Sequence, residues 1–321
     1  ERMNMQSIGT TVINGVTFNA QPGQRPLQVD GCHTIPALFR HRCQTLGTRT
    51  AHREKDLGVW KAYSWDDYWT HAKWLGLGLR ALGLKRGEVV SILSEDRKEW
   101  AYADMGIQAA GGIASGVYTT DSASQLEYLI NDSDSRFLFV ENDEQLDKFL
   151  EIEDRVPGVT KVIIFEDEGL RDLRHDRCVF IGDLYETGRA FEAENLGFFD
   201  DEIDKTQPGD TALLIYTSGT TGAPKGAMLT NENILANLEA ASRVFQVLED
   251  DEQICFLPLC HIAERNNSIY FPLAGKGTVN FAESPETVFD NIREVSPHTF
   301  FAVPRVWEKV YSRVLVLAQE A

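Results

Sequence analysis

The sequence predicts an α/β protein in which helices alternate with buried, largely parallel strands. Three short apolar runs, at residues 89–93, 136–140 and 161–165, have the length and the β-branched and aromatic content of buried strands. Helical patterns lie between these runs, which is the arrangement of a sheet covered by helices. The chain has 321 residues, of which 43% are hydrophobic and 25% charged, so it can bury a sizeable core around such a sheet.

The first helix and strand of this pattern are marked by local signals. Ser64 or Asp66 is placed to cap a helix that runs through Leu82. The strand at residues 89–93 follows, and a second helix runs through Ala110. The apolar side of the first helix carries Trp69, Trp74, Leu75 and Leu79.

The later elements repeat the alternation. The strands at residues 136–140 and 161–165 are separated by a Glu- and Leu-rich helical segment, and this β-α-β unit is expected to have a right-handed crossover. Thr230 or Asn231 is placed to cap another helix. One face of that helix carries Ile234, Leu235, Leu238, Ala241 and Phe245.

Length and a change in composition predict two structural units. An acidic stretch at residues 192–210 separates them, and we place the boundary between residues 200 and 201. Residues 1–200 then form an N-terminal α/β subdomain. Residues 201–321 form a second α/β subdomain.

Composition excludes several classes of function. A net charge of −18 argues against broad binding of nucleic acid, which relies on basic surfaces. The five cysteines have no C-x-x-C spacing, as in a reduced cytoplasmic protein, and Cys260 beside His261 does not suggest a nucleophile. The uncharged stretch at residues 105–120 is too short and too polar for a membrane span. The first residues do not show a basic region followed by an apolar core, so we do not expect a secretion signal there.

The most informative segment is residues 217–226, TSGTTGAPKG, which lie between apolar runs at residues 211–216 and 227–229. Glycines let backbone N–H groups approach an anion, and hydroxyl groups donate to phosphate oxygens. Lys225 adds a positive charge on a flexible stem. The predicted phosphate-binding residues are Thr217, Ser218, Gly219, Thr220, Thr221, Gly222 and Lys225.

Two other interpretations of this loop are weaker. It is not a Walker A loop, because Pro224 precedes Lys225 and Gly226 follows it, where that motif has Gly-Lys-Ser/Thr at the start of a helix. An ordinary Ser/Thr/Gly-rich hairpin connection is the other alternative. The complete pattern Tyr-Thr-Ser-Gly-Thr-Thr-Gly-x-Pro-Lys-Gly favours a nucleotide-binding loop over that alternative.

This loop resembles the phosphate-binding signature of the adenylate-forming, or AMP-binding, superfamily. Residues 257–265, LPLCHIAER, resemble the next family motif in its long-chain fatty acyl-CoA synthetase form, and residues 302–309, AVPRVWEK, resemble a segment of the same branch. Residues 83–88, with Glu99 and Trp100, also resemble long-chain synthetases. Residues 116–120 most closely resemble the very-long-chain "bubblegum" type. The resemblance implies the large N-terminal domain of the adenylate-forming fold, with layered sheets flanked by helices.

The resemblance implies an AMP-forming long-chain fatty acid–CoA ligase. A fatty carboxylate attacks the α-phosphorus of ATP to give acyl-adenylate and pyrophosphate, and the thiol of coenzyme A then displaces AMP. It also implies Thr217, Lys225 and His261 as catalytic residues and Thr217 as a ligand of Mg²⁺. For His261, lining of a pocket competes with a packed or capping role. Glu264 and Arg265 are expected to pair only locally.

Family members continue beyond a segment like residues 302–309, with a Tyr-Gly-x-Thr-Glu segment, a ribose-binding Asp motif and a small C-terminal domain. None of these is found here, so we expect the N-terminal part of a longer enzyme, inactive alone. Two alternatives stay open: a non-catalytic nucleotide- or acyl-binding module, and an acyl-AMP ligase that loads a carrier protein. We expect a cytoplasmic protein and leave peripheral membrane contact open. The sequence does not determine the fatty-acid chain length or the oligomeric state.

Overall fold

Three β-sheets and the helices around them make up the computed structural model, which describes residues 10–13, 15–19, 27–217, 222–245, 249–284 and 286–320. The strands are β1 Thr10–Ile13, β2 Val16–Asn19, β3 Gln28–Val29, β4 Thr50–Asp56, β5 Val59–Ser64, β6 Val89–Leu93, β7 Ile113–Val117, β8 Phe137–Val140, β9 Lys161–Ile164, β10 Cys178–Phe180, β11 Thr211–Thr217, β12 Lys225–Thr230, β13 Glu252–Cys255 and β14 Thr278–Phe281.

The helices lie between and beside these strands. They are α1 Ile35–Leu46, α2 Trp65–Ala81, α3 Lys98–Ala109, α4 Ala123–Asp132, α5 Asp143–Ile152, α6 Ile181–Glu194, α7 Phe198–Lys205, α8 Asn231–Ser242, α9 Ile262–Arg265, α10 Phe271–Gly275, α11 Val288–Val295 and α12 Pro304–Glu320. A 3-10 turn at Glu153–Arg155 follows α5, and a π-helical turn at Asn266–Tyr270 joins α9 to α10.

The central sheet has seven strands in the order β10-β9-β8-β6-β7-β11-β12. Neighbouring strands from β10 to β11 are parallel, and β12 is antiparallel to β11 at the edge of the sheet. Every residue of β6 and β8 is buried, as expected for parallel strands covered by helices on both faces. The predicted α/β class is confirmed.

A second sheet joins distant parts of the chain in the order β13-β14-β4-β5. The pairs β13–β14 and β14–β4 are parallel, and β4–β5 is an antiparallel hairpin. Both large sheets therefore contain strands from before and after the predicted boundary, and residues 200 and 201 lie within α7. The division into two subdomains stays a prediction, and neither sheet supports placing it at this point.

Most predicted elements agree with the structure to within a residue or two. The strand at residues 89–93 is β6, and Ser64 rather than Asp66 caps α2, in a capping box with Asp67. Thr230 caps α8 in the same way with Asn233. One placement is wrong: α8 ends at Ser242, so Phe245 lies beyond the helix and is exposed. The handedness of the crossover from β8 to β9 stays a prediction.

Within the described ranges, no helix combines the length and the apolar composition that a membrane span requires.

Two helices on one side of the central sheet, α2 and α6, pack so closely that only glycine fits at their crossing. A Cβ atom built on Gly188 of α6 would lie 1.8 Å from the carbonyl oxygen of Trp74 in α2. A Cβ atom on Gly78 of α2 would lie 2.6 Å from the carbonyl oxygen of Leu184. Because both obstacles are backbone atoms, the helices would have to separate to admit a methyl group.

We predict that Gly188→Ala lowers the free energy of unfolding by about 3 kcal/mol or more, through this overlap of methyl group and backbone. Gly182→Ala is the matched control, because Gly182 lies in the same helix with no atom within 4 Å of its added Cβ. We expect the control to be neutral or stabilising by up to about 1 kcal/mol. Urea denaturation measures both, and equal stability of the two variants would contradict the packing described.

Candidate functional site

The Thr/Gly-rich segment is closed by the β11–β12 hairpin. Thr217 pairs with Lys225, and Tyr216 pairs with Gly226, so the intervening loop begins and ends at adjacent points of the sheet edge. Thr217 and Lys225 are both exposed, and Gly222 has a φ of +110°, which favours glycine. The predicted site residues Ser218, Gly219, Thr220 and Thr221 lie outside the described residues.

A cavity of about 620 Å³ brings the two main sequence motifs together. Thr217 at the end of β11 and His261 at the start of α9 both line it. The other lining residues come from β7 and the connection after it, from α4, from β11, from the residue before β12 and from α9: Gly116, Tyr118, Asp121, Ser124, Gln125, Tyr128, Leu129, Ile215, Tyr216, Pro224 and Ile262. Lys225 adjoins this lining but is not part of it.

His261 lines the cavity and also caps α9. Its Nδ1 accepts a hydrogen bond from the backbone N–H of Ala263 at 3.1 Å. Because Nδ1 is the acceptor, the neutral ring carries its proton on Nε2. Both sequence interpretations of His261, as a pocket residue and as a capping residue, are therefore compatible with its position.

The turn before His261 is held by Asp96, which lies between β6 and α3. The backbone N–H of Leu259 donates to Asp96 Oδ1 at 2.8 Å. This contact joins the central sheet to the segment that carries His261, 163 residues away in sequence. Asp96 could not be predicted as part of the site from the sequence, because no local pattern relates it to Leu259.

The same segment lies directly on strand β7. A Cβ atom on Gly116 would be 2.6 Å from the Cα atom of Cys260, so the chain can approach only because residue 116 is glycine. Cys260 is buried there, and burial raises the pKa of its thiol, which keeps it protonated near neutral pH. This agrees with the view that Cys260 is not a nucleophile.

Arg265 forms a buried ion pair with Asp104 of α3, and the side chains of both residues are fully inaccessible. Arg265 Nε donates to Asp104 Oδ2 at 3.2 Å, and the guanidinium lies 5.0 Å from the ring centre of Trp100. Tyr270 and Gln108 also donate to the Asp104 carboxylate. The expectation that Arg265 pairs only locally is wrong, since its partner lies 161 residues away.

Glu264 is the second buried charged residue of this motif. Its Oε1 accepts a hydrogen bond from the hydroxyl of Ser268, one turn further on, at 2.6 Å. Burial raises the pKa of Glu264 to about 7, although hydrogen bonds from Ser268 and Cys255 act in the opposite direction. Desolvation also raises the pKa of the neighbouring Asp96, and Glu264 adds to that shift.

A second cavity, of about 460 Å³, lies between the ends of the two large sheets. It is lined by many charged groups, but the basic ones are paired with acids. Arg97 donates to Glu99 at 2.8 Å and to Glu166 at 2.6 Å, and Lys98 bridges Glu54 and Glu99. A cleft whose cations are already neutralised suits a polyphosphate poorly.

The part of the chain that the structure describes holds no group of three or more His, Cys, Asp or Glu side chains that could bind a metal ion.

Comparison with known proteins identifies the family. The sequence matches the family described as AMP-binding enzyme over residues 39–320. It is 33% identical over 289 residues to the long-chain-fatty-acid–CoA ligase ACSBG2 of Xenopus laevis, covering 88% of this chain and 38% of that protein. It is 30% identical over 296 residues to ACSBG1 of Rattus norvegicus, covering 90% and 40%. The chain thus spans about 40% of the length of the curated relatives it matches.

Solved structures agree with the fold. The adenylation domain of a carboxylate reductase from Mycobacterium chelonae superposes with a TM-score of 0.75 at 22% identity, covering 90% of this chain and 48% of that one. At this level of identity the comparison establishes the fold, which is the predicted large N-terminal domain of adenylate-forming enzymes.

Glu264 predicts a pH dependence of stability. Because its pKa of about 7 in the folded protein exceeds the ordinary value of 4.5, the native state keeps a proton that the unfolded chain releases. The stabilisation that goes with this retained proton is fully present below about pH 4.5 and is lost as the pH rises through about 7. Asp96 acts in the same direction, since its pKa is also raised.

Glu264→Gln removes the titration at that position. We therefore expect its stability relative to the unsubstituted protein to improve by on the order of 2–3 kcal/mol between pH 4.5 and pH 8. Urea denaturation across this range measures the difference. A difference that does not change with pH would show that Glu264 titrates normally.

Proposed function

Because the chain belongs to the AMP-binding enzyme family, we propose that it is the nucleotide- and acyl-binding part of an AMP-forming long-chain fatty acid–CoA ligase. The proposal rests chiefly on one observation: a single cavity joins Thr217, at the end of the phosphate-binding hairpin, to His261 of the second motif. The names of the relatives in the long-chain-fatty-acid–CoA ligase group support the substrate class.

The chemistry of the cavity supports a fatty carboxylate beside ATP. A volume of about 620 Å³ is within the usual range for small-molecule sites. Leu129, Ile215 and Ile262 give the cavity apolar walls, which suit an alkyl chain. Thr217 and Pro224, from the two ends of the predicted phosphate-binding segment, line the cavity, so the carboxylate end of the acid and the α-phosphorus of ATP can meet near Thr217.

The first step requires little of the protein beyond positioning and charge. The fatty acid is ionised at neutral pH, so its oxygen can attack phosphorus without a general base. Catalysis then depends on holding the reactants and neutralising the phosphate oxygens. Lys225 supplies positive charge for this task, and the hydroxyls and N–H groups of the segment supply donors.

His261 donates a hydrogen bond in this proposal. Its Nδ1 is occupied by the N–H of Ala263, which leaves the Nε2–H group for a ligand oxygen in the cavity. The oxygen of the fatty carboxylate is the acceptor we assign to it. This role requires no transfer of the imidazole proton and differs from general base catalysis.

The residues present are compatible with Mg²⁺ if ATP supplies most of the ligands of the ion. When phosphate oxygens coordinate Mg²⁺, one or two protein ligands are enough, and the exposed hydroxyl of Thr217 can provide one. When bound, the ion would supply neutralisation of the phosphate charge. A cage of acidic residues is not needed for this role.

The second step transfers the acyl group to the thiol of coenzyme A with release of AMP.

We place the enzyme in the cytoplasm, since the structure describes all five cysteines and pairs none of them, and we leave peripheral membrane contact open. Loading of a carrier protein instead of coenzyme A, and binding without turnover, are the alternative functions.

Pyrophosphate release by the full-length protein tests the proposal. We expect release with ATP, Mg²⁺ and long-chain acids, followed by acyl-CoA formation when coenzyme A is added. Thioester formation only on a phosphopantetheine protein would favour the carrier-loading alternative. Binding of ATP without release of pyrophosphate from any acid would favour the non-catalytic module.

We predict that Lys225→Ala lowers kcat/KM for ATP in adenylation by at least about tenfold, because a charge on the phosphate oxygens is lost. Lys85→Ala is the control, since Lys85 is also exposed but does not line the cavity. Both variants should unfold at the temperature of the unsubstituted protein. Equal adenylation kinetics for the two variants would refute the role of Lys225.

A further inference from the structure

We propose that Tyr128 and Asp132 of α4 are positioning residues that hold the two ends of the phosphate-binding hairpin. This inference rests on the proposed function, because it concerns how the hairpin presents its segment to ATP. Neither residue lies in a motif that the sequence analysis singled out. They act through the hairpin and are not themselves assigned contact with the reacting atoms.

Each residue holds one end of the loop. The Tyr128 hydroxyl donates at 2.9 Å to the backbone carbonyl of Pro224, the residue immediately before Lys225. The hydroxyl of Tyr216, the residue immediately before Thr217, donates to Asp132 Oδ2 at 2.8 Å. Tyr128 and Asp132 are one helical turn apart, and the Tyr128 hydroxyl oxygen lies 3.5 Å from Asp132 Oδ1. One face of α4 therefore contacts the strands that lead into and out of the loop.

The hairpin depends on such contacts because of its place in the sheet. β12 is the edge strand and pairs only with β11 among the strands of the central sheet. Its residues Lys225, Ala227 and Met228 are exposed, so burial adds little to hold this strand. The hydrogen bonds to α4 therefore supplement the β11–β12 backbone hydrogen bonds at the end of the hairpin where Lys225 begins β12.

Tyr128 also lines the cavity, together with Gln125 and Leu129 of the same helix. A test must therefore separate the hydroxyl from the ring. Tyr128→Phe keeps the ring beside the cavity and removes only the donor to Pro224. For Asp132, the amide oxygen of Asn can still accept from Tyr216, whereas Ala cannot.

The experiment measures adenylation by the full-length protein as pyrophosphate release, with KM determined separately for ATP and for a long-chain fatty acid. We expect Tyr128→Phe and Asp132→Ala each to raise KM for ATP about three- to tenfold, the effect of one lost hydrogen bond. The KM for the acid and the melting temperature should not change. Asp132→Asn should restore most of the ATP affinity that Asp132→Ala loses.

Tyr311→Phe is the matched control, because this exposed tyrosine of α12 lies outside the cavity lining and should leave both KM values unchanged. An unchanged KM for ATP in Tyr128→Phe and Asp132→Ala would overturn the proposal. So would an equal rise in both KM values with a lower melting temperature, which indicates a purely structural role.

Failure of the proposed function is distinguishable from failure of this inference. If the unsubstituted protein releases no pyrophosphate, the ligase function fails, and the Kd for ATP measured by equilibrium dialysis replaces KM. Weaker ATP binding in Tyr128→Phe and Asp132→Ala, with rescue in Asp132→Asn, would then support the positioning role on its own. Equal Kd values in all variants would contradict it.

Discussion

The buried ion pair between Arg265 and Asp104 determines where the second half of the candidate site lies. Neither side chain is accessible to water, so each charge depends on the other and on the hydrogen bonds around it. Removing one partner from such a pair costs about 3–5 kcal/mol, because the remaining charge stays buried. Asp104 belongs to α3, and Arg265 is the last residue of α9, the short helix that His261 caps. The pair therefore fixes His261 relative to the central sheet.

Two further contacts act on the same segment. The missing side chain of Gly116 lets Cys260 approach β7, and Asp96 accepts a hydrogen bond from the turn at Leu259. The segment is thus held by α3, by β7 and by the connection after β6. The cavity forms between this fixed turn and the β11–β12 hairpin, where Thr217 ends its strand. Gly116 of β7 and Ile215 of the neighbouring parallel strand β11 both line it.

Local signals in the sequence were sufficient for most of the elements that it predicts, but not for the contacts between elements. The caps at Ser64 and Thr230 follow from side chains that bond to backbone within three residues, so a short window contains all the information. The family motifs identified Thr217 and His261. The partner of Arg265 could not be predicted, because an ion pair across 161 residues has no local pattern. For the same reason, no local pattern indicates that α4 contacts the hairpin.

We propose that the fatty acid binds in the cavity between the hairpin and His261, and photolabelling tests this placement. A long-chain fatty acid with a diazirine on its alkyl chain would be incubated with the full-length protein, ATP and Mg²⁺, irradiated, and located by mass spectrometry. We expect labelling of residues 118–129 and of Ile262, and we expect excess unlabelled acid to reduce it. Labelling confined to the charged cavity, at residues 95–98 and 282–284, would contradict it.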